Sequence, residues 1–319
     1  MNVVKENLKP KIKLTSLFQL NNITILLMLI TGLWIFFSFQ SEFFLTQMNI
    51  TNIFTRVAII GIIAVPMTFV IISKAMDLSV GSILGLTAVT LGFLHQSGWN
   101  IWIAVLAALV VSALCGALNG VLVAKYQMQA IVVTIGTLVM LRGIVYIITQ
   151  GSPISGYPES FYFLGQGKIG VLPVNVLFMF MVFAIGYYII KKTRFGRYTY
   201  ALGNNEETVW FSGINVVRTR FIIFLVNGVF AGIAGVFYVS QYGSAQSDAG
   251  SGIELDVITA VLIGGTHIFG GRGSLIGTLL GVILIGTLRN GLNLIGVSSL
   301  YQTVILGILI LIAVSRQNK

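Results

Sequence analysis

The chain has 319 residues, 56% of them hydrophobic and only 9% charged, with 19 Lys and Arg against 9 Asp and Glu for a formal net charge of +10. An ordinary soluble domain carries about a quarter charged residues, so this composition excludes a soluble enzyme or nucleic-acid binder and indicates an integral membrane protein. The single cysteine, Cys115, excludes a disulfide within the chain and sits in an apolar run, where it reads as a small packing residue.

Apolar runs long enough to cross about 30 Å of hydrocarbon as helices occur ten times. In chain order they fall near 22–39, 57–73, 79–95, 101–123, 129–149, 173–190, 219–240, 253–270, 274–288 and 299–315. The first could be the core of a cleaved signal, but it is too long and no A-x-A-like site follows it. It reads as a retained span behind a cytoplasmic segment, 1–21. The predicted fold class is therefore all-α: one polytopic membrane domain over 1–319 with about ten transmembrane helices.

Ten spans put both ends on one side. With the N-terminus inside, 15 of the 19 basic residues fall in inner loops, as cytoplasmic loops require. Arg56, Lys168 and Arg289 fall outside, and Arg142 lies within the fifth span. Both termini are accordingly expected in the cytoplasm. Partition by loop parity accounts for the charge without nucleic acid, which would call for one basic face.

Glycines stand four apart in several spans: Gly81 and Gly85, Gly116 and Gly120, Gly228 and Gly232, and the triple Gly273, Gly277, Gly281. That spacing places them on one helix face and lets backbones approach closely. Packing within the chain is the plain reading, with a subunit interface on the 273–281 stripe as the other. Spans 2–5 and 7–10 form two blocks of four that share a faint echo, "GALNGVL" at 116–122 against "GTLRNGL" at 286–292. Displacement by five spans would make them inverted repeats. The outer segment 150–172, with Gly151, Pro153, Gly156 and Pro158, reads as irregular and either water-facing or re-entrant.

Residues 191–220 hold eight of the 28 charged side chains, in an inner loop taken as 191–218. Its centre reads as a short helix. Asn204 or Asn205 can cap it, Glu206 and Glu207 suit its positive end, and Gly213 can end it in a left-handed turn. Trp210 and Phe211 then lie outside any span. They could anchor a protein interface or dip into the headgroup layer; the acidic pair leans toward a protein, since Glu gains nothing beside an anionic leaflet.

Other chemistry is not spelled out. No G-x-x-x-x-G-K-[ST] phosphate loop occurs, His95 and His267 lack metal-ligand spacing, and no serine has a nucleophile-elbow context. Catalytic, cofactor and metal sites are therefore not expected. Arg142 reads as snorkelling outward. Asp77 and Asp256 lie near span ends, which argues against proton coupling. Uncharged polarity remains in the spans: Asn119, Thr134, Thr137, Asn227, Thr259, Thr266, Asn290 and Asn293. Such groups suit a neutral hydroxyl-rich solute, and interhelical hydrogen bonds would use them equally well.

The stretches "MDLSVGSILGL" (76–86), "LNGVLVAKYQMQAIVVTIGTLVMLRG" (118–143), "PISGYP" (153–158), "FGRYTYALGNNEETVWFSGINV" (195–216), "GGTHIFGGRGSLIGTLLG" (264–281) and "NGLNLIGVSSLYQ" (290–302) resemble the membrane permease subunits of ribose-type monosaccharide ABC importers, in order over about 50–319. The resemblance implies a type II ABC importer-like fold and a pore built from two permease copies or a paralogous pair. It also implies cytoplasmic ATPase subunits, an external sugar-binding protein and a bacterial cell membrane. Ribose, other sugars, rhamnose and autoinducer-2 share these blocks. The matching coupling segment is Gly203, Asn204, Asn205, Glu206, Glu207, Trp210, Phe211, Ser212 and Gly213, with Trp210 and Phe211 as packing anchors and the two Glu as charge partners of the ATPase. Thr208 and Val209 stand where relatives often carry two alanines. Glu159, Asp248 and Glu254 are the candidates for docking the binding protein. A facilitator or secondary transporter, the rival classes, would leave the 203–213 helix without a task.

Overall fold

The computed structural model describes residues 22–315; the expected cytoplasmic segment 1–21, and with it Arg316 and Lys319, lie outside the described residues. The chain folds as α1 (Asn22–Gln40), α2 (Gln47–Ile72), α3 (Val80–Gln96), α4 (Ile101–Ala124), α5 (Ala130–Thr149), α6 (Glu159–Gln166), α7 (Val174–Lys192), α8 (Arg194–Asn204), α9 (Glu206–Phe211), α10 (Val216–Tyr242), α11 (Ile253–Ile263), α12 (Leu275–Leu294) and α13 (Ser299–Ser315). Four two-residue strands decorate one end: β1 (Ile154–Ser155) pairs antiparallel with β4 (Ser244–Ala245), and β2 (Lys168–Ile169) with β3 (Leu172–Pro173). Seven of the helices are long and apolar enough to cross a membrane, and α3 and α13 are apolar with 17 residues each.

Side-chain caps set several helix starts. Thr46, Asn100, Asn215 and Ser274 each accept from a backbone N–H in the first turn of the helix that follows, satisfying donors that the helix itself leaves orphaned. The central post is α2, buried over nearly its whole apolar length even though Pro66 interrupts its hydrogen bonding. Neighbours on all sides keep it continuous. Around it, α10 packs on α2, α3 and α4. Gly116 and Gly228 meet backbone to backbone, and Gly232 receives Ser112.

The expected repeat is visible in the packing. As α10 lies on α4 and α3, α2 lies on α12 and α11; as α3 packs on α4 and α5, α11 packs on α12 and α13. In each repeat a non-helical segment leads into the second helix, the largely buried 73–79 before α3 and the partly exposed 243–252 before α11. The glycine stripe at 273–281 packs inside the chain: Gly277 faces the Gly264 backbone and Gly281 the Ala260 backbone.

The eighth span differs from expectation. Its helix stops at Ile263, and 11 residues rise only about 16 Å, short of the roughly 30 Å needed. Glycine ends it: Gly265, Gly270 and Gly271 take φ values of +88°, +80° and +73°, conformations that side chains resist. The chain continues as turns to Gly273. Irregular backbone is tolerated at such depth only where protein satisfies it, and here Gly271 N–H donates to Ile72 O at 2.9 Å and His267 N–H to Arg272 O at 2.9 Å.

Candidate coupling and translocation sites

The charged segment between α7 and α10 forms a built knuckle. Thr193 caps α8, whose far end abuts the bundle: Tyr200 Oη donates to Gly273 O at 2.9 Å. Burial raises the Tyr200 pKa above its ordinary value, so the phenol stays a donor. Gly203 is pressed on Ile72 O and Gly271 N, and Asn204 lies against Gly271. The end of α2, the start of α12 and the end of α8 thus share one joint.

Beyond it, α9 has the expected punctuation. Asn205, not Asn204, is the cap, accepting from Thr208 N–H at 3.0 Å. Gly213 sits at φ +75° after Ser212, whose N–H returns to Thr208 O at 3.1 Å. The helix is six residues long, seated by buried Val209 against Leu202 and Val216. Trp210 and Phe211 are 66% and 80% exposed, with their rings edge to face at 5.0 Å. They line an open cleft of about 720 Å³ with Glu206, Glu207 and Ala124. Glu206 is already engaged by Arg220 through two bonds of 3.0 and 2.7 Å, so it stiffens the knuckle from within. Glu207 is exposed and in no ion pair among the described residues.

Three of the eight polar span residues converge. Thr137 Oγ1 donates to Asn119 Oδ1 at 2.7 Å, Asn119 Nδ2 to Ser79 Oγ at 2.9 Å, Ser79 Oγ to Asp77 Oδ1 at 2.6 Å, and Asn227 Nδ2 to Asp77 Oδ2 at 2.9 Å. This chain of bonds ties α5, α4, the 73–79 turn and α10 together, every member 5% exposed or less. Asp77, near a span end as expected, is the buried hub of this network. The signal was in "MDLSVG", a carboxylate three residues before a helix start, where its Oδ1 meets the Ser79 N–H and hydroxyl.

Of the other five, Thr134 reaches the same turn at Met76 O, 3.4 Å away, and the remaining four lie elsewhere. Thr134 Oγ1 donates to Ala130 O, and Thr259 turns back on Leu255 O. Thr266 is buried beside Gly273. Asn290 pairs reciprocally with Asn49 at 2.9 and 3.0 Å, and exposed Asn293 accepts from Gln302 at 2.7 Å. A cavity of about 890 Å³ at the opposite end from the knuckle is lined instead by residues outside the pathway candidates, among them Gln47, Thr51, Asn52, Arg56, Gln166, Lys168 and Gln241.

Arg142 and Glu254 differ from their expected settings, and Asp256, near the start of α11, is buried in an ion pair. Arg142 does not snorkel: its Nη1 donates to Ala249 O at 3.0 Å inside the bundle. Asp256 is 4% exposed and held by Arg289 through bonds of 3.1 and 2.6 Å. Glu254 turns its carboxylate inward, accepting from Gly252 N–H at 3.2 Å with Oε2 against Gly81. Glu159 and Asp248 are exposed, as a docking surface would need.

Comparison with known proteins fits this architecture. A family described as branched-chain amino acid transport system / permease component matches residues 49–314. The chain is 42% identical over 280 residues to the ribose import permease protein RbsC of Escherichia coli (strain K12), covering 86% of this chain and 87% of that protein. It is 42% identical over 278 residues to RbsC of Bacillus subtilis (strain 168), covering 86% of each. Similarity to the D-allose transport system permease protein AlsC of Escherichia coli (strain K12) is 36% over 283 residues, 88% of this chain and 86% of AlsC. No solved structure matches. With its membrane-length helices and a family match over almost all of the described residues, this multi-pass membrane protein belongs to the branched-chain amino acid transport system / permease component family.

Proposed function

We propose that this chain is the transmembrane permease subunit of an ATP-driven importer for a monosaccharide or sugar-like solute, passing it by alternating access. The names of its relatives support a sugar: ribose for RbsC and D-allose for AlsC. Autoinducer-2 is a second candidate solute, since a permease named for its import, LsrD of Klebsiella pneumoniae, is 33% identical over 261 residues. The chain is not itself an enzyme; hydrolysis belongs to a separate ATPase subunit.

The observation that carries the reading is α9. It exposes two large aromatic rings on a six-residue helix that is clamped, through Gly203 and Tyr200, to the turns leading into α3 and α12. Motion of a partner seated on Trp210 and Phe211 reaches the Asp77 hub through the seven residues after Ile72. A ligand-driven switch needs a partner that binds two states unequally and a rigid link to transmit the difference, and α9 has the form of such a link. We assign Gly203 to Gly213 to ATPase coupling, and Asn119, Thr137 and Asn227 to the part of the pathway that changes with it. On the outer face, Glu159 and Asp248 are assigned to the binding protein. Partners are accordingly two cytoplasmic ATPase subunits, an external binding protein and a second permease copy or paralogue, in a bacterial cell membrane with both termini in the cytoplasm.

The test is uptake of labelled ribose by proteoliposomes holding the chain with its ATPase and binding protein. Trp210→Ala should leave the protein in the membrane with unchanged thermal stability while ATP-driven uptake falls at least tenfold. Uptake by the chain alone without nucleotide would instead make it a facilitator.

A further inference from the structure

A surface groove between α7 and α10 is not used by the proposed transport function. α7 and α10 each pack along α2 but barely touch one another, so a gap runs between them with Val65 and Pro66 as its floor. Its volume is about 490 Å³, and its walls carry Ile185 and Ile189 on one side and Ile222 and Val226 on the other. A ring pair stands toward each end, Phe178 with Phe237 at 4.9 Å and Phe69 with Phe195 at 6.2 Å. The second pair lies at the inner face, where α8 leaves α7.

Cations stand at that inner mouth on both walls. Lys192 is three residues beyond Ile189 and Arg218 four before Ile222, spacings that keep each on the groove face of its helix. Lys191, Arg194 and Arg197 are exposed close by. None of the five is in an ion pair among the described residues, where the pairs are Arg220 with Glu206 and Arg289 with Asp256. The nearest acidic residues of this face, Glu206 and Glu207, line the separate α9 cleft.

From the apolar groove and its cationic mouth together we infer that it is a binding site for an anionic phospholipid of the inner leaflet, one acyl chain lying between α7 and α10 and the phosphate held by Lys192 and Arg218. A slot without hydrogen-bonding walls suits a hydrocarbon chain, and the basic residues supply the counter-charge that an anionic headgroup needs. A second copy of this chain would bring the same cations to the mouth and no counter-charge. Because α8 begins there, an occupied site braces the α7–α8 corner from which the coupling knuckle is hung.

The experiment is native mass spectrometry of the full chain in mild detergent, offered phosphatidylglycerol or phosphatidylcholine with identical acyl chains. One phosphatidylglycerol should be retained in preference. Lys192→Glu with Arg218→Glu, both at exposed positions, should weaken that retention by about tenfold or more, and Val226→Trp, which fills the slot, should lower retention of both lipids. Equal retention of the two lipids overturns the site. So does loss on charge reversal alone with Val226→Trp unaffected, which would mean surface attraction only. A disulfide between copies through Ile185→Cys, with Cys115 replaced by Ala, would put a second copy in the groove and also overturn it.

Discussion

Asn227 Nδ2 donates to Asp77 Oδ2 at 2.9 Å, joining the middle of α10 to a carboxylate with no exposed surface. The Asn227 Oδ1 is buried without a hydrogen-bond partner among the described residues. That spare acceptor makes a sharp distinction between two replacements of the hub.

Asp77→Ala removes the acceptor of three donors, two from Ser79 and one from Asn227. Stranding buried donors costs about 1–3 kcal/mol each, so the melting temperature in detergent should drop sharply. Asp77→Asn should be far milder, because Asn227 can turn its amide and accept from the new amide group. Equal losses in the two variants would refute this account of the hub.

Arg289→Ala leaves the Asp256 carboxylate buried and unpaired, a loss of about 3–5 kcal/mol. Adding Asp256→Leu should recover most of it, since replacing both members of a buried pair by apolar groups is often neutral. Thermal unfolding of the single and double variants checks the sign.

Glycine positions divide into two kinds. Gly277→Ala drives a methyl into the Gly264 carbonyl and should cost at least about 2 kcal/mol by overpacking. Gly143, in α5, has no atom within 4 Å of an added Cβ, so Gly143→Ala should gain about 1 kcal/mol from helix propensity. Opposite shifts in melting temperature are expected.

Gly213→Pro demands φ near −65° where the backbone holds +75°, and should unseat the end of α9. The protein should still reach the membrane, since the bundle does not rest on this turn, while stimulation of the ATPase is lost. Val209→Asp should give the same phenotype by a different route, putting a charge into the Leu202 and Val216 cluster.

The knuckle was legible in the sequence because its signals are local. A capping Asn, two first-turn acids and a closing Gly lie within nine residues, and α9 uses all of them. Most span limits agree within about four residues for the same reason, apolar length being a property of a single stretch. α2 starts ten residues earlier than its apolar core suggested, carried outward by the Thr46 cap. The end of α11 was hidden because its run of apolar residues continues past Gly264 and Gly265, and only the contact with Ile72 shows what that broken backbone is for.

The sequence by itself determined a polytopic helical membrane protein, the form of its α9 knuckle and its family, because hydrocarbon thickness and helix caps act over a few neighbouring residues. The tertiary structure alone decided which polar groups meet. Asp77 gathers Ser79, Asn119, Thr137 and Asn227 across 150 positions, whereas Asn290 turns to Asn49. Within a bilayer a buried polar atom finds its partner on another helix, and which helix that is depends on how the bundle packs.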